Sequence, residues 1–186
     1  MVTRAAVVGR SCALLLVAGL ALASCASNGE TTTDPSTSTG TATRARNVPD
    51  GRDAVVDRVV DGDTIVVDDG ERIRLIGIDT PETVKPGSPV ECFGKEASRR
   101  MNTLLPEGTH VRLVRDADAT DRYDRTLSYV YRLDDGLFVN AAMVRDGFAY
   151  AYTVPPNVAH AEEFVALQAE AREADRGLWA ACPPPN

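Results

Sequence analysis

Zinc-binding side chains are scarce in this chain. It has two histidines and four cysteines in 186 residues. None of the six adjoins the acidic residues between Asp61 and Glu82, so those acids do not read as a zinc centre. Positive charge is also in short supply. Of 20 Lys and Arg, Arg4, Arg10, Arg44 and Arg46 precede residue 51; of 27 Asp and Glu, so do Glu30, Asp34 and Asp50. That leaves 16 against 24 from Gly51 onward, a net charge of −8. Such a surface argues against nonspecific electrostatic binding of a polyanion. Any phosphate site must be a local cluster of arginines or use a metal. No stretch is a comfortable membrane span: the apolar run "SCALLLVAGLALAS", residues 11–24, is too short. Internal repeats are absent.

That run has another use. Behind Arg4 and Arg10 it has the length of a signal-peptide core, and it ends in "LASC", Leu22 to Cys25. The ending resembles the lipobox of bacterial lipoproteins, which implies lipidation of Cys25 and a mature chain that begins there. The plainer alternative is an ordinary cleaved signal with a chance cysteine. Acyl chains can hold a protein on a membrane without a spanning helix. Residues 26–50, with "NGETTTDPSTSTGTATRARN", are rich in Thr, Ser, Gly and Pro and have no apolar period, so they read as a flexible tether. The expected organisation is a lipoprotein signal peptide at 1–24, a lipidated cysteine and tether at 25–50, and a folded domain at 51–186. The expected location is outside the cell, anchored to the outer face of the membrane or secreted. Cys12 leaves with the signal, which leaves Cys92 and Cys182 as an even pair in an exported chain, and a disulfide is expected. Closing so long a loop stabilises by roughly 3–5 kcal/mol in the chain-entropy view.

"AVVDRVVDGDTIVVDDGERIRLIGID" alternates and is rich in Val and Ile, with a hairpin turn at Asp68–Gly70. It predicts strands at 54–60, 63–68 and 71–79. A helix is expected at 94–105, with Ala97, Met101, Leu104 and Leu105 on its apolar face and "PEG" as its stop. "THVRLVRD" reads as a fourth strand and "RTLSYVYRLDDGLFV" as a fifth, with a turn at Asp134–Gly136. "NAAMVRDG" reads as a short helix and "NVAHAEEFVALQAEAREADRG" as the last one, stopped by Gly177. The order suggests a mainly β, α+β domain: a five-stranded barrel with three packed helices.

Two acidic turns stand out, "DGDT" (Asp61–Thr64) and "DTPE" (Asp79–Glu82). Each alone is an ordinary polar turn. Together they place Asp61, Asp63, Asp79 and Glu82, all hard oxygen donors, beside a Thr80 carbonyl whose direction Pro81 restricts. A few carboxylates, one carbonyl and water suit Ca²⁺. Arg74 and Arg125 carry planar forks that pair with phosphate oxygens and stay charged. Carboxylates holding a cation beside arginines fit phosphodiester chemistry; each arginine alone is equally well a solvated surface charge. Strict alternation puts Arg74 and Asp79 on opposite strand faces, so one site can use both only if the strand bends. Gly77 is where a bend costs least. Tyr123, Tyr150 and Tyr152 lie in or near loops, where a base could stack on them or they could simply pack.

The motifs "VVDGDTIVV", "RIRLIGIDTPE", "CFGKEAS", "DRYDRTLSYVY", "LVRDGFAYAY" and "RGLW" occur in the order seen in the thermonuclease family, the staphylococcal-nuclease-like domains. The resemblance spans about Ala54 to Trp179. It implies an OB-fold barrel with three helices and Ca²⁺-dependent hydrolysis of DNA and RNA to 3′-phosphate ends. By motif position, Asp63, Asp79 and the Thr80 carbonyl resemble the calcium ligands, with Asp61 a nearby carboxylate behind them. Glu82 resembles the residue that positions and deprotonates the attacking water. Arg74 and Arg125 resemble the pair that grips the scissile phosphate, with Arg125 near the leaving oxygen. A guanidinium holds its proton too tightly to act as a literal acid there. Arg122, Tyr123 and Tyr152 match positions that contact the nucleotide. A monomer is expected, with nucleic acid as its substrate and the membrane touched only through the lipid.

Some features depart from the family pattern. The loop "TVKPGSPVEC" has only Lys85 as a base, Val154 stands where a second base-side tyrosine is expected, and the cysteine pair is an addition. A binding module that holds nucleic acid or protein without cutting is the alternative. Noncatalytic members of the superfamily typically lack the carboxylates or arginines, which are all present here. A calcium-stabilised structural domain is a third reading.

Overall fold

A computed structural model describes residues 48–83 and 90–182. The signal segment, Cys25, most of the tether and Lys85 lie outside the described residues.

Five strands close a barrel in the order β1-β2-β3-β6-β5. β1 (Arg52–Val59), β2 (Thr64–Val67) and β3 (Arg72–Leu75) form an antiparallel meander, and β5 (His110–Val114) and β6 (Thr126–Arg132) complete the wall. Alternation explains the inner face: Ala54 and Val56, Ile73 and Leu75, and Val111 and Leu113 all point into the core. Closure needs two long-range pairings. β1 runs antiparallel to β5, and β3 runs parallel to β6 with Arg74 opposite Leu127. The expected turn at Asp68–Gly70 is present, with Gly70 at φ +83°. The domain begins slightly before Gly51, since Val48 packs on the core and the Pro49 carbonyl accepts a hydrogen bond from Arg112.

The expected third strand is two pieces. β3 ends at Leu75, Ile76 and Gly77 turn, and β4 (Ile78–Asp79) pairs instead with β7 (Tyr150–Ala151). Gly77 has φ +78°, and a Cβ on it would lie 2.3 Å from the ring of Phe164. Only glycine meets both conditions without strain. The bend required to bring Arg74 and Asp79 to one site is therefore present at the expected residue.

The helices cover the barrel. α1 (Gly94–Leu104) buries Ala97, Met101 and Leu104, as its spacing predicts. α2 (Val139–Arg145) is buried from Val139 to Val144. Its Asn140 amide accepts from the Val130 N–H and donates to the Ile76 carbonyl, each at 2.9 Å, which holds the bend against β6. α3 (Ala161–Glu173) inserts Phe164 beneath Gly77. A fourth helix of one turn, α4 (Leu178–Ala181), follows Gly177 and was not expected from the sequence. The fifth strand is shorter than its sequence pattern: beyond Arg132 only Phe138 returns, bridging to Tyr131. The Cys92–Cys182 disulfide is present and joins the start of α1 to the end of α4.

Candidate active site

The turn after β1 carries Asp61 and Asp63. It lies against Thr80 so closely that a Cβ on Gly62 would come within 2.7 Å of the Thr80 hydroxyl. Asp63 is only 6% exposed. One of its oxygens accepts the N–H and the hydroxyl of Thr80, both at 3.0 Å; the other accepts the Thr64 hydroxyl at 3.1 Å and lies 3.2 Å from Arg74 Nε. A buried carboxylate needs such compensation. Asp61 in turn accepts the Asp63 N–H at 3.0 Å.

Arg74 lies between the acids, its side chain 12% exposed. Nε faces Asp63, Nη1 donates to the carbonyls of Leu75 and Ile78, and Nη2 donates to Asp79 at 2.9 Å. The two carbonyls are those flanking the bend, so the bend between β3 and β4 also orients the guanidinium. Burial, and then the charge of Asp63, push the Asp61 carboxyl up to about 6. Burial raises Asp79 as well; Arg74 opposes the shift, and Asp63, Glu91 and Glu82 add to it.

Arg125 is aimed by a residue that sequence reading missed. Asp121 accepts the backbone N–H of Tyr123 and of Arg125 on one oxygen, and the Arg125 guanidinium at 2.7 Å on the other. Burial pushes the Asp121 carboxyl up, but these bonds outweigh it and hold it below its ordinary value. The signal was the i, i+4 spacing of Asp121 and Arg125 within "DRYDR", which is a helical spacing in a loop and carries no meaning without the fold. Tyr123 is 64% exposed, with Arg122 and Arg125 both over its ring at 4.7 and 5.5 Å. Tyr152 is 54% exposed. Tyr150 is different: it is half-buried and packs edge-on against Trp179, so it is a packing residue.

All ten residues expected at the site, namely Asp61, Asp63, Arg74, Asp79, Thr80, Glu82, Arg122, Tyr123, Arg125 and Tyr152, line one cleft of about 660 Å³. A second hollow of about 470 Å³ shares Arg74, Arg122, Tyr123, Arg125 and Tyr152 with it and continues over Leu75, Ile78 and Leu127 to Val154. One end of the depression is acidic, the middle is basic, and the far end is apolar.

A family profile described as staphylococcal nuclease homologue matches residues 72–181. The chain belongs to that family. It is 44% identical over 132 residues to the thermonuclease of Staphylococcus intermedius, covering 69% of this chain and 77% of that one. The thermonuclease of Staphylococcus hyicus is 43% identical over 125 residues, covering 66% and 72%. Endonuclease YncB of Bacillus subtilis is 36% identical over 128 residues, covering 67% and 60%. The barrel is thus the OB-fold of a staphylococcal nuclease homologue, and the chemistry of the chain is that of a nuclease, hydrolysis of phosphodiester bonds.

The cleft fits a hard divalent cation. Its donors are all oxygen, and crowding and burial raise the proton affinity of Asp61 and Asp79, the electrostatic state that a cation relieves. Among the described residues no three His, Cys, Asp or Glu side chains gather into a ready-made cage. Arg74 stands between Asp63 and Asp79 and supplies the positive charge there.

Proposed function

We propose that this protein is a Ca²⁺-dependent nuclease that cleaves DNA and RNA to leave 3′-phosphate ends and that works outside the cell on a lipid tether. The observation that supports this reading is the shared cleft: Arg74, held among the acids, and Arg125, held by Asp121, line the same space as Asp61, Asp63, Asp79 and Glu82. Asp63, Asp79 and the Thr80 carbonyl would hold the ion, with Asp61 behind them. When bound, it would neutralise these acids and polarise a phosphoryl oxygen. Arg74, whose Nη2 donates to Asp79, would offer its guanidinium to the scissile phosphate. Arg125, fixed by Asp121, would bind the same phosphate and hydrogen-bond the leaving oxygen while remaining charged, and the leaving oxygen takes its proton from solvent water. Glu82, at the rim of the acidic end, takes the proton of the attacking water. Tyr123 and Tyr152 offer exposed faces to bases, and Arg122 hydrogen-bonds the Tyr123 hydroxyl at 2.7 Å. With a net charge of −8 beyond residue 51, long polyanions are held by this local cluster and the ion rather than by the overall field.

The test is cleavage of single-stranded DNA and RNA by the purified protein with Ca²⁺ and with EGTA. Cutting with Ca²⁺ alone, leaving 3′-phosphates, is expected. A folded protein that binds oligonucleotide but cuts in neither condition would instead establish the binding module. Tethering is tested by mass spectrometry of the mature N-terminus, where an acylated Cys25 is expected.

A further inference from the structure

Glu82 is held by a device that none of the residues considered above explains. Its backbone forms a reciprocal pair with Glu91: the Glu91 N–H donates to the Glu82 carbonyl at 2.9 Å, and the Glu82 N–H donates to the Glu91 carboxylate at 3.0 Å. A charged acceptor makes the second bond stronger than an ordinary one. Glu82 then folds back, its carboxylate accepting the Thr83 N–H at 2.9 Å. The start of α1 closes over this pair. The Gly94 N–H donates to the Glu91 carbonyl at 3.1 Å, and a Cβ on Gly94 would lie 2.8 Å from the Thr83 methyl and 2.9 Å from the Glu82 carbonyl oxygen. The next residue after Glu91 is Cys92, covalently bound to Cys182. Cys182 follows α4, whose first N–H, on Leu178, donates to the Gly147 carbonyl at 2.8 Å. The route from Glu82 thus runs through Glu91, the disulfide and α4 to the end of α2.

We propose that Glu91 is a positioning residue for Glu82, and that the Cys92–Cys182 disulfide keeps Glu91 in place. Glu91 and Cys92 are both exposed, so without an anchor the loop leading into α1 gains little from burial here and would fray. The disulfide anchors Cys92 directly, beside the packing of Phe93 on Phe148. The inference rests on Glu82 acting in catalysis.

The experiment measures kcat, KM and melting temperature with Ca²⁺ and single-stranded DNA for Glu82→Gln, Glu91→Ala, Glu91→Gln, the double variant Glu82→Gln/Glu91→Ala, and Cys92→Ser/Cys182→Ser. Each is assayed at least roughly 15 °C below its own melting temperature, because opening equilibria then contribute little. Glu91→Ala should lose about 3- to 30-fold in kcat with KM nearly unchanged, the cost of misplacing a reacting group by a fraction of an ångström. Glu91→Gln keeps an oxygen acceptor for the Glu82 N–H and should recover most of the rate. In the Glu82→Gln background, Glu91→Ala should cost nothing further. The serine pair should lower kcat in the same direction. A wild-type kcat for Glu91→Ala, equal losses in the alanine and glutamine variants, or losses that multiply in the double variant would each overturn the role of Glu91. An unchanged kcat in the serine pair would overturn the role of the disulfide. A wild-type rate for Glu82→Gln would remove Glu82 from the mechanism and this proposal with it, whereas an impaired Glu82→Gln beside an unimpaired Glu91→Ala would sink the proposal alone.

Discussion

Gly77→Ala puts a methyl group where the ring of Phe164 already lies. The added carbon would sit 2.3 and 2.6 Å from two ring atoms, and the residue would have to hold φ +78°. The left-handed backbone costs an L-residue roughly 1–2 kcal/mol. Phe164 is fully buried, so its ring cannot swing into solvent to make room; overpacking of this kind costs about 1–3 kcal/mol. The sum, about 2–5 kcal/mol, should lower the melting temperature by roughly 5–20 °C for a domain of this size. Phe164→Leu in the same chain relieves the clash but leaves the backbone strain. The two substitutions should therefore couple, the double variant being more stable than the two separate losses imply. Urea denaturation of the four proteins supplies the cycle. A Gly77→Ala cost under about 0.5 kcal/mol, or strictly additive losses, would refute the account of the bend.

Asp121→Asn should lower kcat about tenfold by loosening Arg125, read from initial rates at saturating substrate. The Asp121 carboxyl is held below its ordinary value, so its stabilisation is present above the unfolded-state pKa of about 3.9 and lost as pH falls through the folded one. The variant should be less stable than the parent at pH 7, and the gap should close in acid when both are followed by urea denaturation. Calcium should raise the melting temperature, by the equivalent of about 2.7 kcal/mol at a hundredfold excess over Kd, and Asp79→Asn should abolish most of that rise in a thermal scan. Free-thiol titration of the folded domain should find neither Cys92 nor Cys182, and reduction should cost roughly 3–5 kcal/mol by the size of the loop released.

Strands β1, β3 and β5 were legible because one face of each is buried, which writes a period of two into Ala54–Val56, Ile73–Leu75 and Val111–Leu113; β2, buried at all four positions, showed instead as a short apolar run. The bend at Gly77 was legible as a contradiction: alternation separated Arg74 from Asp79, and chemistry needed them together. β7 and α4 were not legible. Two and four residues carry no measurable period, and what holds them is remote, β4 in one case and the disulfide and Gly147 in the other. The same holds at the cleft. The ten expected residues were visible as chemical types, whereas Asp121 and Glu91 act by holding backbone and guanidinium groups, and an acid in an acidic chain advertises nothing until its partner is known.

The parallel pairing of β3 with β6 has a kinetic meaning. Arg74 lies within β3, and Arg125 immediately precedes β6. No local segment of chain holds both, so a partly folded molecule with its meander and helices formed still has no phosphate grip. Pairings this far apart in sequence form late and slowly. With Arg74 and Arg125 in their proposed roles, cleavage should return only when the barrel shuts, and its regain during refolding is a clock for that event.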